Sequence, residues 1–130
     1  MPKYRPVDLS RHQSDILVIH CADPRFQSAY RQIIDGFGKY HDLLVVPGAS
    51  KAIVNDKNLI GHIKLLHDLH HFEKVHIMDH IECGAFGAIE DEIKSHAKTL
   101  KLAADKIKEA LPQLEVAHHL LGESGELTLE

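Results

Sequence analysis

"DILVIHCADPRF", residues 15–26, changes character in its middle. Ile16 to Ile19 form a continuous apolar run bounded by polar residues. Such a run reads as a strand buried on both faces, the kind found in parallel sheets. It stops at His20-Cys21. A thiol, a carboxylate and a guanidinium then follow at alternate positions of one short turn, as Cys21, Asp23 and Arg25.

The flanking pattern repeats this strand and separates the copies by helices. From Pro24 to about Tyr40, Phe26, Tyr30, Ile33 and Phe37 recur at helical spacings. Pro24 suits a first turn, and Gly36 and Gly38 supply the stop. "DLLVVPG" (42–48) reads as a second buried strand. "NDKNLIGHIKLLHDLHHF" (55–72) is the next helix, capped by Asn55 or Asp56, with Ile60, Ile63, Leu66 and His67 or Leu69 on one face. "KVHIMDH" (74–80) is a third strand. After "IECGAFG" the longest helix is expected to run to about Leu111. Phe86, Ile89, Ile93, Ala97, Leu100, Ala104, Ile107 and Leu111 form its stripe, read as core or a subunit contact, and Pro112 ends it. "VAHHLLGESGELTLE" (116–130) reads as a last strand or hairpin turning at "GESGE". The first ~13 residues are polar and prolyl and read as an arm. Strands alternating with helices predict an α/β fold: a mostly parallel sheet flanked by helices, with a short C-terminal strand or hairpin. At 130 residues and 44% hydrophobic, one domain over 1–130 is expected.

The net charge is -4 with the signs mixed, so no basic stripe for nucleic acid is visible. The apolar runs fall far short of the ~20 residues of a membrane span. The N-terminus lacks the apolar segment of a secretory signal, so a cytoplasmic location is expected. Two cysteines are too few for a disulfide scaffold. Twelve histidines are many, and those of "HDLHH" (His67, His70, His71) are read as lying on a polar helical face.

Sites of parallel sheets lie beyond the carboxyl ends of the strands. Cys21 follows the first strand, His80 closes the third, and Cys83 lies in the turn after it. "CADPR" alone is a weak signal, because a cysteine that ends a strand is usually a small buried residue and Asp23 can serve as a helix cap. Together the two segments supply thiolate and imidazole ligands that suit zinc and leave a fourth tetrahedral position open. Zinc with an open position generates hydroxide near neutral pH and acts as a Lewis acid. Asp23 can reach that position itself or accept a hydrogen bond from hydroxide there. Arg25 can hold Asp23 off the metal by a bidentate pair.

Cys21-Ala22-Asp23-Pro24-Arg25 and His80-Ile81-Glu82-Cys83-Gly84 resemble the C-x-D-x-R and H-x-x-C-G signatures of the β-class carbonic anhydrases. "LLVVPGAS" is similar to the family's "VVRNAGN", and "KVHIMDHIECGAFGAI" to its "HIVVCGHTDCGAMKA". The resemblance covers roughly Asp15 to Ile89. It implies one zinc per chain on Cys21, His80 and Cys83, with Asp23 and Arg25 as the catalytic dyad. It also implies reversible hydration of carbon dioxide to bicarbonate and a homodimer or larger assembly. The backbone N–H near Gly84 is a candidate to hold the product anion. The chain departs from the family in its short N-terminal arm and in lacking most of the long helical segment before the last strand. Pro47 and Gly48 stand where the family usually has Arg and Asn, and Asp79 where glycine usually precedes the histidine. The glutamine that contacts bicarbonate in many members has no counterpart. Three other readings stay open: hydrolysis of carbon disulfide or carbonyl sulfide on the same fold, a non-catalytic zinc-binding or bicarbonate-sensing member, and a structural zinc with Asp23 as permanent fourth ligand.

Overall fold

The computed structural model describes residues 3–129. The predicted strands form as β1 (Ile16–His20), β2 (His41–Val45) and β3 (Lys74–His80), followed by β4 (Glu115–Leu121) and β5 (Glu126–Leu127). They make a five-stranded sheet in the order β2-β1-β3-β4-β5. β1 pairs parallel with β2 and β3, and β3 with β4; only β5 is antiparallel, folded back on β4 as a hairpin. The chain reverses its direction of travel at β1, so the C-terminal ends of β1 and β3 border the crevice where such sheets carry their sites.

The helices are α1 (Gln27–Phe37), α2 (Ser50–Asn55), α3 (Lys57–His70) and α4 (Glu92–Ala110), with a 3₁₀ turn at Gly84–Phe86. Leu17, Ile19, Val75 and Ile77 pack under α2, α3 and α4, together with Ile53, Ile63, Leu100 and Ile107. Ile16, Val18 and Met78, on the opposite face by strand alternation, pack under α1 through Tyr30 and Ile34. Both faces of β1 and β3 are therefore buried, which is why β1 is apolar without alternation, while β3 buries His76, Asp79 and His80 beside its apolar residues.

Two helix starts and one whole helix differ from the sequence expectation, and β2 is a half-buried edge strand ending at Val45 rather than a buried one reaching Gly48. Residues 24–26 form a turn, and α1 starts at Gln27; it stops at Gly38, which is left-handed at φ 62 and caps the helix as expected. α2 is an unexpected helix; its burial of Ser50 and Ile53 has no helical stripe long enough to be read from sequence. α4 starts six residues after Phe86, because Gly87 at φ 68 breaks the backbone and Asp91 caps the new start by accepting from the Lys94 N–H. Phe86 and Ile89 thus leave the predicted stripe, and Ile93 is exposed, while Leu100, Ala104, Ile107 and Leu111 are buried as expected. His96 is buried instead. Asp56 caps α3, accepting from the Asn58 N–H at 2.9 Å. Residues 3–13 carry no helix or strand, and the rest of the expected arm, residues 1 and 2, lies outside the described residues. Among the described residues no helix is long and apolar enough to cross a membrane.

His76 on β3 is buried against Phe37 at a centroid distance of 4.3 Å. Its Nδ1 lies 2.9 Å from His119 Nε2, and His119 Nδ1 faces the Glu126 carboxylate. Burial first, then His119 and Lys74, holds the His76 pKa down to about 4. The folded state thus refuses a proton that the unfolded chain accepts below pH ~6.5. This contribution to stability is complete above that pH and is lost as pH falls towards 4, at a cost of at most ~3 kcal/mol. Thermal unfolding across this range should fall more steeply for the parent than for His76→Phe. Parallel curves for the two proteins would remove His76 from the account.

Candidate metal centre

Three side chains meet at the end of the β1–β3 crevice. Cys21 follows β1, His80 ends β3, and Cys83 sits just before the 3₁₀ turn. Their ligand atoms all lie within 4.8 Å of one another, and all three residues are buried. Two thiolates on one tetrahedral metal at ~2.3 Å each stand ~3.8 Å apart. The Cys21 and Cys83 Sγ atoms are 3.9 Å apart, far beyond a disulfide bond.

His80 presents the correct nitrogen. Its Nδ1 is 2.6 Å from the Ile81 carbonyl, which only accepts, so the proton belongs on Nδ1. Nε2 keeps its lone pair, is buried, and has no hydrogen-bond partner among the described residues. An unpaired buried nitrogen is costly unless something binds it. Phe26 stacks on the ring at 4.3 Å and fixes its plane. The residues fit a metal ion, and two sulfurs with one imidazole suit zinc by softness. Burial pushes the Cys83 thiol up to about 11, against an opposing Ala85 backbone N–H. Binding must therefore displace thiol protons.

The Cys21 sulfur accepts from the Gly48 N–H at 3.3 Å. This contact requires glycine: Gly48 sits at φ 80, and a Cβ there would lie 2.9 Å from Ala85 Cβ. The "PGAS" segment, matched by sequence to a family loop, thus touches the centre through its backbone.

Asp23 and Arg25 stand beside the triad as a fork-to-fork pair. Arg25 Nη2 donates to Asp23 Oδ2 at 2.8 Å and Nε to Oδ1 at 3.1 Å, while the Arg25 backbone N–H donates to Oδ1 at 2.8 Å. These bonds hold the Asp23 carboxyl down at about 2. Arg25 Nη2 also donates to the Glu82 carbonyl at 2.9 Å. Glu82 adopts φ 53 to present that oxygen, and its N–H donates to Glu92. Asp23 Oδ2 lies 3.7 Å from His80 Nε2, within a small swing of the ligand cluster. Gln27 donates to the carbonyls of Cys21 and Asp23, at 3.0 and 2.7 Å, and locks the turn.

Every predicted site residue is therefore in one place, including Gly84, which is exposed and opens the 3₁₀ turn with open space where a side chain would be. The sequence reading missed Gly48, Gln27, Phe26 as a stacking partner, and Glu82 as an acceptor. Gly48 and Glu82 act through backbone atoms and Phe26 through packing; Gln27 acts through its side-chain amide on carbonyls that any residue could present, so none leaves a motif. Of the histidines expected on a polar helical face, His67 and His70 are half-buried on α3, where His70 pairs with Asp42 at 2.6 Å, and the exposed His71 caps the helix end at φ 59.

A family model described as "Putative carbonic anhydrase" matches residues 11–129. An uncharacterized protein of Rickettsia conorii is 32% identical over 88% of this chain and 70% of its own. A second uncharacterized protein, from Rickettsia bellii, is 31% identical over 88% of this chain and 80% of its own. Among solved structures, the β-carbonic anhydrase isoform I of Trichomonas vaginalis superposes with a TM-score of 0.68 at 13% identity, covering 98% of this chain and 87% of that one. A carbonic anhydrase from Streptococcus mutans gives 0.69 at 10% identity, covering 96% and 88%. At these identities the likeness is one of fold.

Proposed function

The chain belongs to this carbonic anhydrase family, and from that premise we propose that it hydrates carbon dioxide reversibly to bicarbonate and a proton, with one zinc ion per chain held by Cys21, His80 and Cys83. The observation that supports this reading is the pairing of Asp23 with Arg25: two side-chain bonds hold the carboxylate, and Asp23 is not among the three residues whose ligand atoms cluster within 4.8 Å. A structural metal would use that carboxylate as a ligand.

Zinc at such a site supplies Lewis acidity and lowers the pKa of water. The chain's own residues do the rest. Asp23, ionised by its pair with Arg25, accepts a hydrogen bond from the attacking water and aims its lone pair at the carbon. Arg25 holds Asp23 in that pose through two side-chain bonds, and the Glu82 carbonyl holds Arg25. The Gly84 N–H is assigned to the product anion, beside a position with no neighbour within 4 Å. Phe26 excludes water from the His80 ring.

Stopped-flow hydration by zinc-replete protein tests the proposal, with carbon disulfide and carbonyl sulfide as competitors. Rapid hydration with weak competition is expected; turnover of the sulfur compounds alone would assign the other substrate class, and turnover of none would leave a non-catalytic zinc site. We propose also that the chain assembles at least as a homodimer in the cytoplasm. β2 is an edge strand, and the arm exposes Tyr4, Val7 and Leu9. Light scattering should give twice the 14.6 kDa chain mass or more, and a fully active monomer would reject this.

A further inference from the structure

Asp79 precedes ligand His80 on β3, and strand alternation turns its side chain to the opposite face of the sheet. It is 1% exposed, and three donors satisfy its two oxygens. The Ser50 N–H donates to Oδ1 at 3.0 Å; the Ser50 hydroxyl and His96 Nδ1 meet Oδ2 at 2.5 and 2.8 Å. Ser50 and His96 are themselves fully buried. A carboxylate only accepts, so His96 carries its proton on Nδ1. The proposed reaction uses none of these groups.

The clamp acts on a strained piece of chain. Ala49, just before Ser50, has φ 41 and ψ -94, a conformation that side-chain-bearing residues avoid. Gly48, just before that, is the residue whose N–H meets Cys21 Sγ. Two bonds donated by Ser50 to Asp79 thus fix the far end of the loop that aims an amide at a ligand sulfur. An N–H donated to a thiolate draws charge from it and leaves a bound metal more electrophilic. With two sulfurs among three donors, that charge matters.

We infer that Asp79 is a positioning residue: by clamping Ser50, with His96 behind it, it holds the Gly48 N–H on Cys21 Sγ and so sets how strongly that sulfur donates to the metal. The inference deepens the zinc-enzyme reading proposed above and rests on it for the effect on rate.

The test compares the parent with Ser50→Ala, Ser50→Thr and Asp79→Asn, each loaded with cobalt(II). All should bind one cobalt per chain. A sulfur relieved of its hydrogen bond gives up an electron more easily, so the sulfur-to-cobalt absorption of Ser50→Ala and Asp79→Asn should move to longer wavelength. Ser50→Thr keeps the hydroxyl and should stay with the parent. In metal-free protein, hydrogen exchange at the Gly48 amide should be faster in Ser50→Ala than in the parent. With zinc, kcat of Ser50→Ala should fall about tenfold at unchanged KM. Unchanged absorption in fully cobalt-loaded Ser50→Ala, or unchanged Gly48 exchange in metal-free Ser50→Ala, overturns the inference. So does loss of cobalt from a natively folded Ser50→Ala, since the clamp would then hold the ligands themselves. If absorption and exchange shift as expected while the parent hydrates no carbon dioxide, the clamp stands and the proposed reaction falls.

Discussion

Arg25→Ala should keep its zinc and lose hydration activity by about 100-fold or more, the cost of misplacing a reacting group by ~1 Å. Arg25 bonds to Asp23 and the Glu82 carbonyl and makes no hydrogen bond to the proposed ligand atoms of Cys21, His80 or Cys83. Asp23 does depend on it. Without the guanidinium, the carboxylate keeps only the backbone N–H of residue 25, and its free oxygen starts 3.7 Å from His80 Nε2. A carboxylate so placed swings onto the metal and closes the fourth position. Asp23→Ala should also keep zinc, through the other three ligands, and should lose a comparable share of activity because no acceptor orients the water. With its pKa depressed to about 2, Asp23 stays ionised throughout any practical assay range. An activity change near neutral pH in the parent therefore belongs to another group. Zinc content and hydration rate for both variants across pH decide the matter. Metal lost from Asp23→Ala, together with an inactive parent at every pH, would make Asp23 a structural ligand.

Cys21→Ser and Cys83→Ser should each lose zinc affinity by more than ~100-fold, which is the upper range for losing merely a partner of a ligand. Each leaves two buried donors, and among the described residues His80 Nε2 has no hydrogen-bond partner. Stability should report the same loss. A ligand bound only by the folded state stabilises it by ~4 kcal/mol at a thousand times its dissociation constant. Zinc should therefore raise the unfolding temperature of the parent and leave that of the serine variants unmoved. Full zinc occupancy in both variants would refute the ligand assignment.

What could be read from the sequence were the features carried by residue type and short-range order. Strands dry on both faces are mostly apolar runs, so Ile16–Ile19, with the largely apolar strand from Val75 to Met78 that carries one buried histidine, His76, pointed to a parallel sheet. Reactive side chains that end such strands share one edge of the sheet, so Cys21, His80 and Cys83 could be assembled without coordinates, with Asp23 and Arg25 beside them. The tertiary structure decided the rest, because the remaining contacts are made by atoms that every residue has or by partners distant in the chain. Gly48 reaches Cys21 through a peptide N–H and Glu82 holds Arg25 through a carbonyl, so the contacting atoms are ones that every residue other than proline carries. His96 looks like one more polar residue on α4 until folding sets it 2.8 Å from Asp79, seventeen positions away. Periodicity also overran the start of α4, since it registers apolar spacing and not the positive φ at Gly87 that ended the preceding turn.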